Sequence, residues 1–246
     1  MTVKLKPKQT IIALDVSSLE ETKDLLSIVD KDLFRLKVGK QLFTSQGPKA
    51  IDKLNSLGFD VFLDLKLHDI PNTVSKSLAN ICNLGVWMSN IHLLGGQEMI
   101  EAATSTVKGL NSEMILVGVT ILTSLNENNL VEMGFNSSAE DLAIKLAKLG
   151  KQNGIDGVVC SIEDISGIKA SLGGDFLSVT PGVRMIQDID DQKRAGSIYD
   201  AIQFGTDFVV IGREITQAKN PEGVLKKIES LICLLYTSDA ADDEER

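Results

Sequence analysis

The stretch DVFLDLKLHDIPNTV, residues 60–74, decides the fold. Its first half alternates as a strand does, with Phe62, Asp64 and Lys66 on one face and Val61, Leu63 and Leu65 on the other. An apolar strand thus carries opposite charges together on one face, at its C-terminal end. Helical periodicity over 73–84 then makes the stretch one strand-and-helix unit. The same unit recurs along the chain. Apolar, β-branched runs occur at TIIALDV (10–16), LFRLKVG (33–39), DVFLDLK (60–66), VWMSNIHL (86–93), MILVGVTIL (114–122), GVVCS (157–161), FLSVT (176–180) and DFVVIG (207–212). Amphipathic segments separate them at 19–29, 47–57, 73–84, 98–109, 139–153, 163–172 and 198–204, and PEGVLKKIESLI (221–232) closes the series. Strands alternating with helices imply parallel strands with right-handed crossovers, and this number of units predicts a (β/α)₈ TIM barrel. A doubly wound open sheet is the alternative. Its dinucleotide-binding version lacks support, because no GxGxxG follows the first strand.

Composition narrows the function. With 246 residues, 43% apolar and 24% charged, the chain has enough apolar surface for a single domain, expected over 1–235. The tail from Tyr236 to Arg246 drops the periodicity and ends in an acidic run, so it is expected to lie outside the fold, without order of its own. A net charge of −9 with no basic stripe argues against a nucleic-acid surface, so an anionic ligand would need a local positive pocket. Cys82, Cys160 and Cys233 are far apart among apolar residues, as expected of reduced thiols rather than of disulfides or a metal site. The N-terminal MTVKLKPKQT has no apolar signal-peptide core, and no apolar run approaches the ~20 residues of a membrane span. A cytoplasmic protein is expected.

In a barrel of this kind, chemistry gathers at the C-terminal ends of the strands. Asp15 ends the first strand in phase with Ile11 and Ala13, Lys37 ends the second, and Asp64 and Lys66 end the third. Adjacent strands lie ~4.8 Å apart, so these groups should form one alternating array. A structural salt-bridge network would look the same in sequence, yet desolvation makes buried ion pairs weak stabilisers, which favours a functional reading. Neighbouring carboxylates favour the ammonium form of Lys66, which suits a proton donor better than a Schiff-base nucleophile. Proton donation fits a reaction that forms a carbanion. Asp64 would repel a substrate carboxylate, and loss of carbon dioxide would relieve that repulsion. Across the barrel, SVTPGVR (178–184) and VVIGREIT (209–216) occupy the loops after strands seven and eight, the usual phosphate site of this fold. Gly212 there leaves room for an anion and Arg213 offers a bidentate donor. Between them runs MIQDIDDQKRAG (185–196), with Gln192 able to reach two ligand groups.

These residues carry a resemblance. FLDLKLHDIPNT resembles the DxKxxDIPNT signature of the orotidine 5′-phosphate decarboxylase family, and ALDV, RLKVGKQLFTSQGP, LGVWMSNIH, VTILTS, DGVVCS, VTPGVR and VVIGREIT follow the pattern of its bacterial members in order over roughly 9–232. The resemblance implies a (β/α)₈ barrel that works as a homodimer without metal or organic cofactor and converts orotidine 5′-monophosphate to uridine 5′-monophosphate. It implies Lys66 as proton donor to C6 of the pyrimidine and Asp64 against the departing carboxylate, with Lys37 and Asp15 on the ribose hydroxyls. Asp69 resembles the acid that the family inserts into the neighbouring subunit's site, and Thr73 belongs to the same shared segment. Thr123 would meet the pyrimidine edge, Gln192 would bridge base and phosphate, and Arg184, Gly212 and Arg213 would complete the phosphate end. His68 and His92 are expected to pack or hydrogen-bond. Two alternatives stay open. One is a magnesium-dependent hexulose-phosphate synthase or ketogulonate-phosphate decarboxylase of the same suprafamily, the other a non-catalytic nucleotide-binding barrel.

Overall fold

A computed structural model describes residues 6–184 and 196–230. Each apolar run of the sequence forms a strand: β1 (Thr10–Leu14), β2 (Phe34–Gly39), β3 (Val61–Leu67), β4 (Met88–His92), β5 (Ile115–Val119), β6 (Gly157–Val159), β7 (Leu177–Pro181) and, last in the chain, β10 (Phe208–Ile211). All pair in parallel and close into a barrel in the order β1-β10-β7-β6-β5-β4-β3-β2. The barrel is the (β/α)₈ architecture, and the open-sheet alternative falls, because β1 pairs with both β2 and β10.

Closure creates two apolar layers. Inside the barrel, Ile11, Phe62, Met88, Val117, Val179 and Val210 pack against one another. Their strand neighbours Ile12, Leu63, Ile91, Val158 and Val209 face outward, onto helix residues such as Leu54, Leu78, Ile100, Leu146 and Ile165. Burying each such side chain contributes roughly 1.5–3 kcal/mol, which fixes the facing of every strand.

Helices follow the strands as expected, with local starts and stops. Helix α4 (Pro71–Asn83) begins at the Pro of DIPNT, whose missing N–H costs nothing at a first helical position. Helix α7 (Ala139–Gln152) starts where the Ser138 side chain accepts from the Asp141 N–H. Several short elements escape the sequence pattern. Helix α2 (Lys40–Gln46) precedes α3 (Pro48–Ser56), the two separated by Gly47 at φ 62. Helix α6 (Glu127–Glu132) is held mainly by an Asn126/Asn129 capping box, too short to show a period. Strands β8 (Val183–Arg184) and β9 (Gly196–Ser197) pair with each other and bring together the two ends of segment 185–195. That segment with Gln192, as well as Cys233 and the 236–246 tail, lies outside the described residues.

The N-terminal end of the barrel is closed by a cation sandwich. The Arg35 guanidinium sits 3.9 Å over the Trp87 ring and 5.7 Å from that of Phe208. The two rings meet edge-on at 5.1 Å. Arg35 Nε and Lys8 Nζ both donate to Asp60 Oδ2, each at 3.1 Å. Trp87→Ala is expected to cost about 3 kcal/mol, or roughly 6–12 °C in Tm for a chain of this length. Val131, 64% exposed, is the control: Val131→Ser should stay within about 0.5 kcal/mol. Thermal unfolding of both variants checks this, and equal shifts would refute the closure.

Candidate active site

The C-terminal mouth of the barrel opens into a cavity of about 810 Å³, a size suited to a small ligand. On one side lies the charge array. Lys37 Nζ stands 3.1 Å from Asp15 Oδ1 and 3.3 Å from Asp64 Oδ2, and Lys66 Nζ stands 2.6 Å from Asp64 Oδ1. Asp15, Lys37, Asp64 and Lys66 thus form one unbroken chain of alternating sign. Asp15 lies one residue past β1, whereas β2 runs on for two residues beyond Lys37. Gly39 makes space for the chain: a Cβ there would sit 3.1 Å from Asp15 Oδ1 and 3.2 Å from Lys37 Nζ.

Burial gives the array its energetics. Lys37 is 8% exposed and Asp64 7%. For Asp64, burial opposes ionisation, but Lys37 and Lys66 outweigh it with help from Asn90, holding the carboxyl down at about 2. For Lys37, burial opposes the charge and the attraction of Asp64 and Asp15 overcomes it, so its ammonium is held above the ordinary range. Both stay charged at neutral pH.

Lys66 reaches the array from an irregular stretch of its strand. From Leu63 to Leu67, β3 advances four residues while β4 advances two, from Ser89 to Ile91. Lys66 lies in this bulge at φ 53, a left-handed conformation rare for a long side chain. Lys66 and Asp64 meet on one face, where alternation puts them, although the strand is irregular between them. Asn90, buried on β4, is a residue that the sequence reading missed. Its signal was a lone amide in VWMSNIHL, in phase with Met88 and His92.

The same cavity carries the anion-binding candidates. Arg184, Gly212 and Arg213 line the cavity, as does Thr123 on the segment after β5. Lys37, Lys40, Lys66, Arg184 and Arg213 outnumber Asp15, Asp64 and Glu214 around it, which supplies the local positive pocket that an acidic chain needs for an anion. Asp69 and Thr73 are not among the residues that line this cavity. Both are exposed on the segment from β3 into α4, beside Ile70, which is 66% exposed. His92 ends β4 with its ring centroid 5.3 Å from that of His68. Burial, joined by the neighbouring His68, Lys66 and Lys40, pushes His92 down to about 4, so it is neutral at pH 7 and serves as packing. Among the described residues no group of three or more His, Cys, Asp or Glu side chains is placed to hold a metal ion.

The sequence pattern of the orotidine 5′-phosphate decarboxylase / HUMPS family matches residues 8–228. The chain belongs to this family. Among its relatives, the orotidine 5′-phosphate decarboxylase of Hydrogenovibrio crunogenus is 44% identical over 94% of this chain and 98% of its own length. That of Pasteurella multocida is 45% identical over 89% of this chain and 95% of its own. In three dimensions, the crystal structure of orotidine 5′-phosphate decarboxylase from Lactobacillus acidophilus superposes with a TM-score of 0.80 at 33% identity, covering 92% of this chain and 99% of that one. The enzyme of Methanocaldococcus jannaschii, complexed with inhibitor BMP, shares the fold at a TM-score of 0.74 and 24% identity over 92% and 99% of the two chains. Decarboxylase relatives thus cover nearly the whole chain, and the family's sugar-phosphate branch and a mere binding barrel are not favoured.

Proposed function

We infer that the chain decarboxylates orotidine 5′-monophosphate to uridine 5′-monophosphate in pyrimidine synthesis. The observation that carries this reading is the continuous Asp15, Lys37, Asp64 and Lys66 array in one cavity with Arg184 and Arg213. In the proposed reaction the bond from C6 to the carboxylate breaks, carbon dioxide leaves, and the electron pair stays on C6. An Nζ proton of Lys66 moves to C6, and solvent restores the ammonium. No ring group accepts the electron pair in the usual way, so a cation already beside C6 must stabilise it. Asp64, ionised even when buried, crowds the substrate carboxylate and holds the ammonium in place. Lys37 and Asp15 take the ribose hydroxyls and Thr123 the pyrimidine edge. Arg184, Gly212 and Arg213 bind the phosphate, with Gln192 bridging base and phosphate. Phosphate binding far from C6 then supplies energy for orienting the reacting end.

The test is the absorbance change of orotidine monophosphate on turnover, followed with a chelator present. Undiminished turnover supports the cofactor-free decarboxylase. Turnover that the chelator stops supports the magnesium-dependent branch, and uridine monophosphate binding without turnover supports a binding barrel.

We further propose a homodimer in which Asp69 and Thr73 serve the neighbouring subunit's site. Their exposure away from their own cavity and the exposed Ile70 beside them support this. Inactive Lys66→Ala and Asp69→Ala subunits, mixed in equal amounts and allowed to exchange, should then regain roughly a quarter of wild-type activity. Half of the dimers would be mixed, each with one intact site. No recovery despite demonstrated exchange would rule out the shared site. A cytoplasmic location and one domain over 1–235 belong to the same proposal. The free thiol of Cys82 supports the former, and no described helix is long and apolar enough to cross a membrane.

A further inference from the structure

We propose that Asn90 is a positioning residue for the proton-donating lysine: its one side-chain amide holds the backbone of Lys66 in the bulge and clamps Asp64 at the same time. Asn90 Oδ1 accepts from the Lys66 backbone N–H at 2.7 Å. Asn90 Nδ2 donates to Asp64 Oδ1 at 2.7 Å, the same oxygen that accepts from Lys66 Nζ at 2.6 Å. The amide therefore ties the start of the Lys66 residue, at its main chain, to the carboxylate that receives its end.

The bulge explains why such a tie is needed. A long side chain at φ 53 persists only where its surroundings over-determine it. Between Leu63 and Leu67 the register of β3 on β4 shifts, and the Lys66 N–H donates there to a side chain, that of Asn90. Asn90 lies in the middle of the matching span of β4 and is wholly buried, so no water competes for either end of its amide. The chemistry is specific to Asn. An Asp would still accept from the Lys66 N–H but would set a second carboxylate against Asp64, while a Leu of similar volume would serve neither partner. Asn90 is not among the residues that line the cavity, so it acts only through Lys66 and Asp64.

This inference rests on the decarboxylase reading, and wild-type turnover of orotidine monophosphate is measured first in the same assay. A wild type that binds uridine monophosphate without turnover overturns both. Given an active wild type, Asn90→Leu is expected to lower kcat by about 100-fold, as a displaced reacting group does. Uridine monophosphate affinity should stay within about threefold, because the groups that contact ligand remain. Burial opposes Asp64 ionisation and Asn90 helps Lys37 and Lys66 to outweigh it, so the acid limb of the kcat profile should also move to higher pH. A merely structural role would lower Tm and leave kcat and its pH profile where they are. If the Leu variant does not fold, Asn90→Ser, smaller and still polar, gives the same readouts. A kcat within about threefold of wild type, or a loss of kcat matched by the loss of uridine monophosphate affinity, overturns the proposal.

Discussion

Lys66→Ala lowers turnover at least ~10⁴-fold, equal to ~5.4 kcal/mol of transition-state stabilisation, and changes uridine monophosphate affinity less than about tenfold. The split follows from what Lys66 is proposed to do. Its ammonium meets negative charge at C6 only after the carboxylate begins to leave, so its interaction is made in the transition state and is missing from the product complex. General acid catalysis alone accounts for roughly 10²–10⁴-fold, and a preorganised charge beside the carbanion adds to it. Ground-state binding meanwhile uses the phosphate and ribose groups, which the mutation leaves in place. Removing the ammonium also relieves the array of one cation that contacts Asp64 at 2.6 Å, so the carboxylate should take up a proton more readily in the variant. Steady-state kinetics and calorimetric titration of uridine monophosphate check the two numbers. Activity within tenfold of wild type would remove Lys66 from the mechanism.

Asp64→Asn has the second largest expected effect, and it acts on stability as well as on rate. The substitution keeps the shape and discards the charge that joins Lys37 to Lys66. Lys37 is then buried with only Asp15 to balance it, and breaking one side of a buried pair costs roughly 3–5 kcal/mol when no partner remains. With Asp15 still in place we expect about 2–3 kcal/mol of destabilisation at pH 7. kcat should fall by at least ~10³-fold, since both the strain on the substrate carboxylate and the aim of the Lys66 ammonium are lost.

The pH dependence carries a definite sign. The Asp64 carboxyl is held at about 2 in the folded protein against an ordinary 3.8, so its ionised form favours folding. That shift corresponds to about 2 kcal/mol, present above pH ~4 and lost as the pH falls toward ~2. Lys37, raised in the folded protein, contributes stability that is present up to its ordinary range and lost only at high pH. His92 adds to the acid side, because a neutral buried imidazole opposes the charging that an unfolded one accepts below its ordinary 6.5. Wild type and Asp64→Asn should therefore differ by a constant amount from pH 5 to 8 and converge as the pH drops from ~4 toward ~2. Denaturant unfolding across that range checks this, and curves that stay parallel to the acid limit would refute the role given to Asp64.

Much of this molecule is legible along the chain because its information is periodic. Ile11, Ala13 and Asp15, or Phe62 and Asp64, sit on one face whatever the rest of the protein does, since a strand repeats every two residues. Parallel order and short spacings then leave few architectures besides a closed barrel, and strand ends in a barrel can only converge. Tertiary structure alone decided three things. It bent β3 at Lys66, a departure that no local pattern announces, where the Lys66 N–H bonds to Asn90 on the next strand. It split α2 from α3 at Gly47 and built α6 and the β8–β9 pair from stretches too short to show a period. It set the charge state of the array, since Asp64 and Lys37 owe their shifted ionisation to charged partners that outweigh burial, most of them on other strands. Sequence by itself determined which side chains are available and which face they take. How the charges touch depended on distances across strands, and those exist only once the barrel has closed.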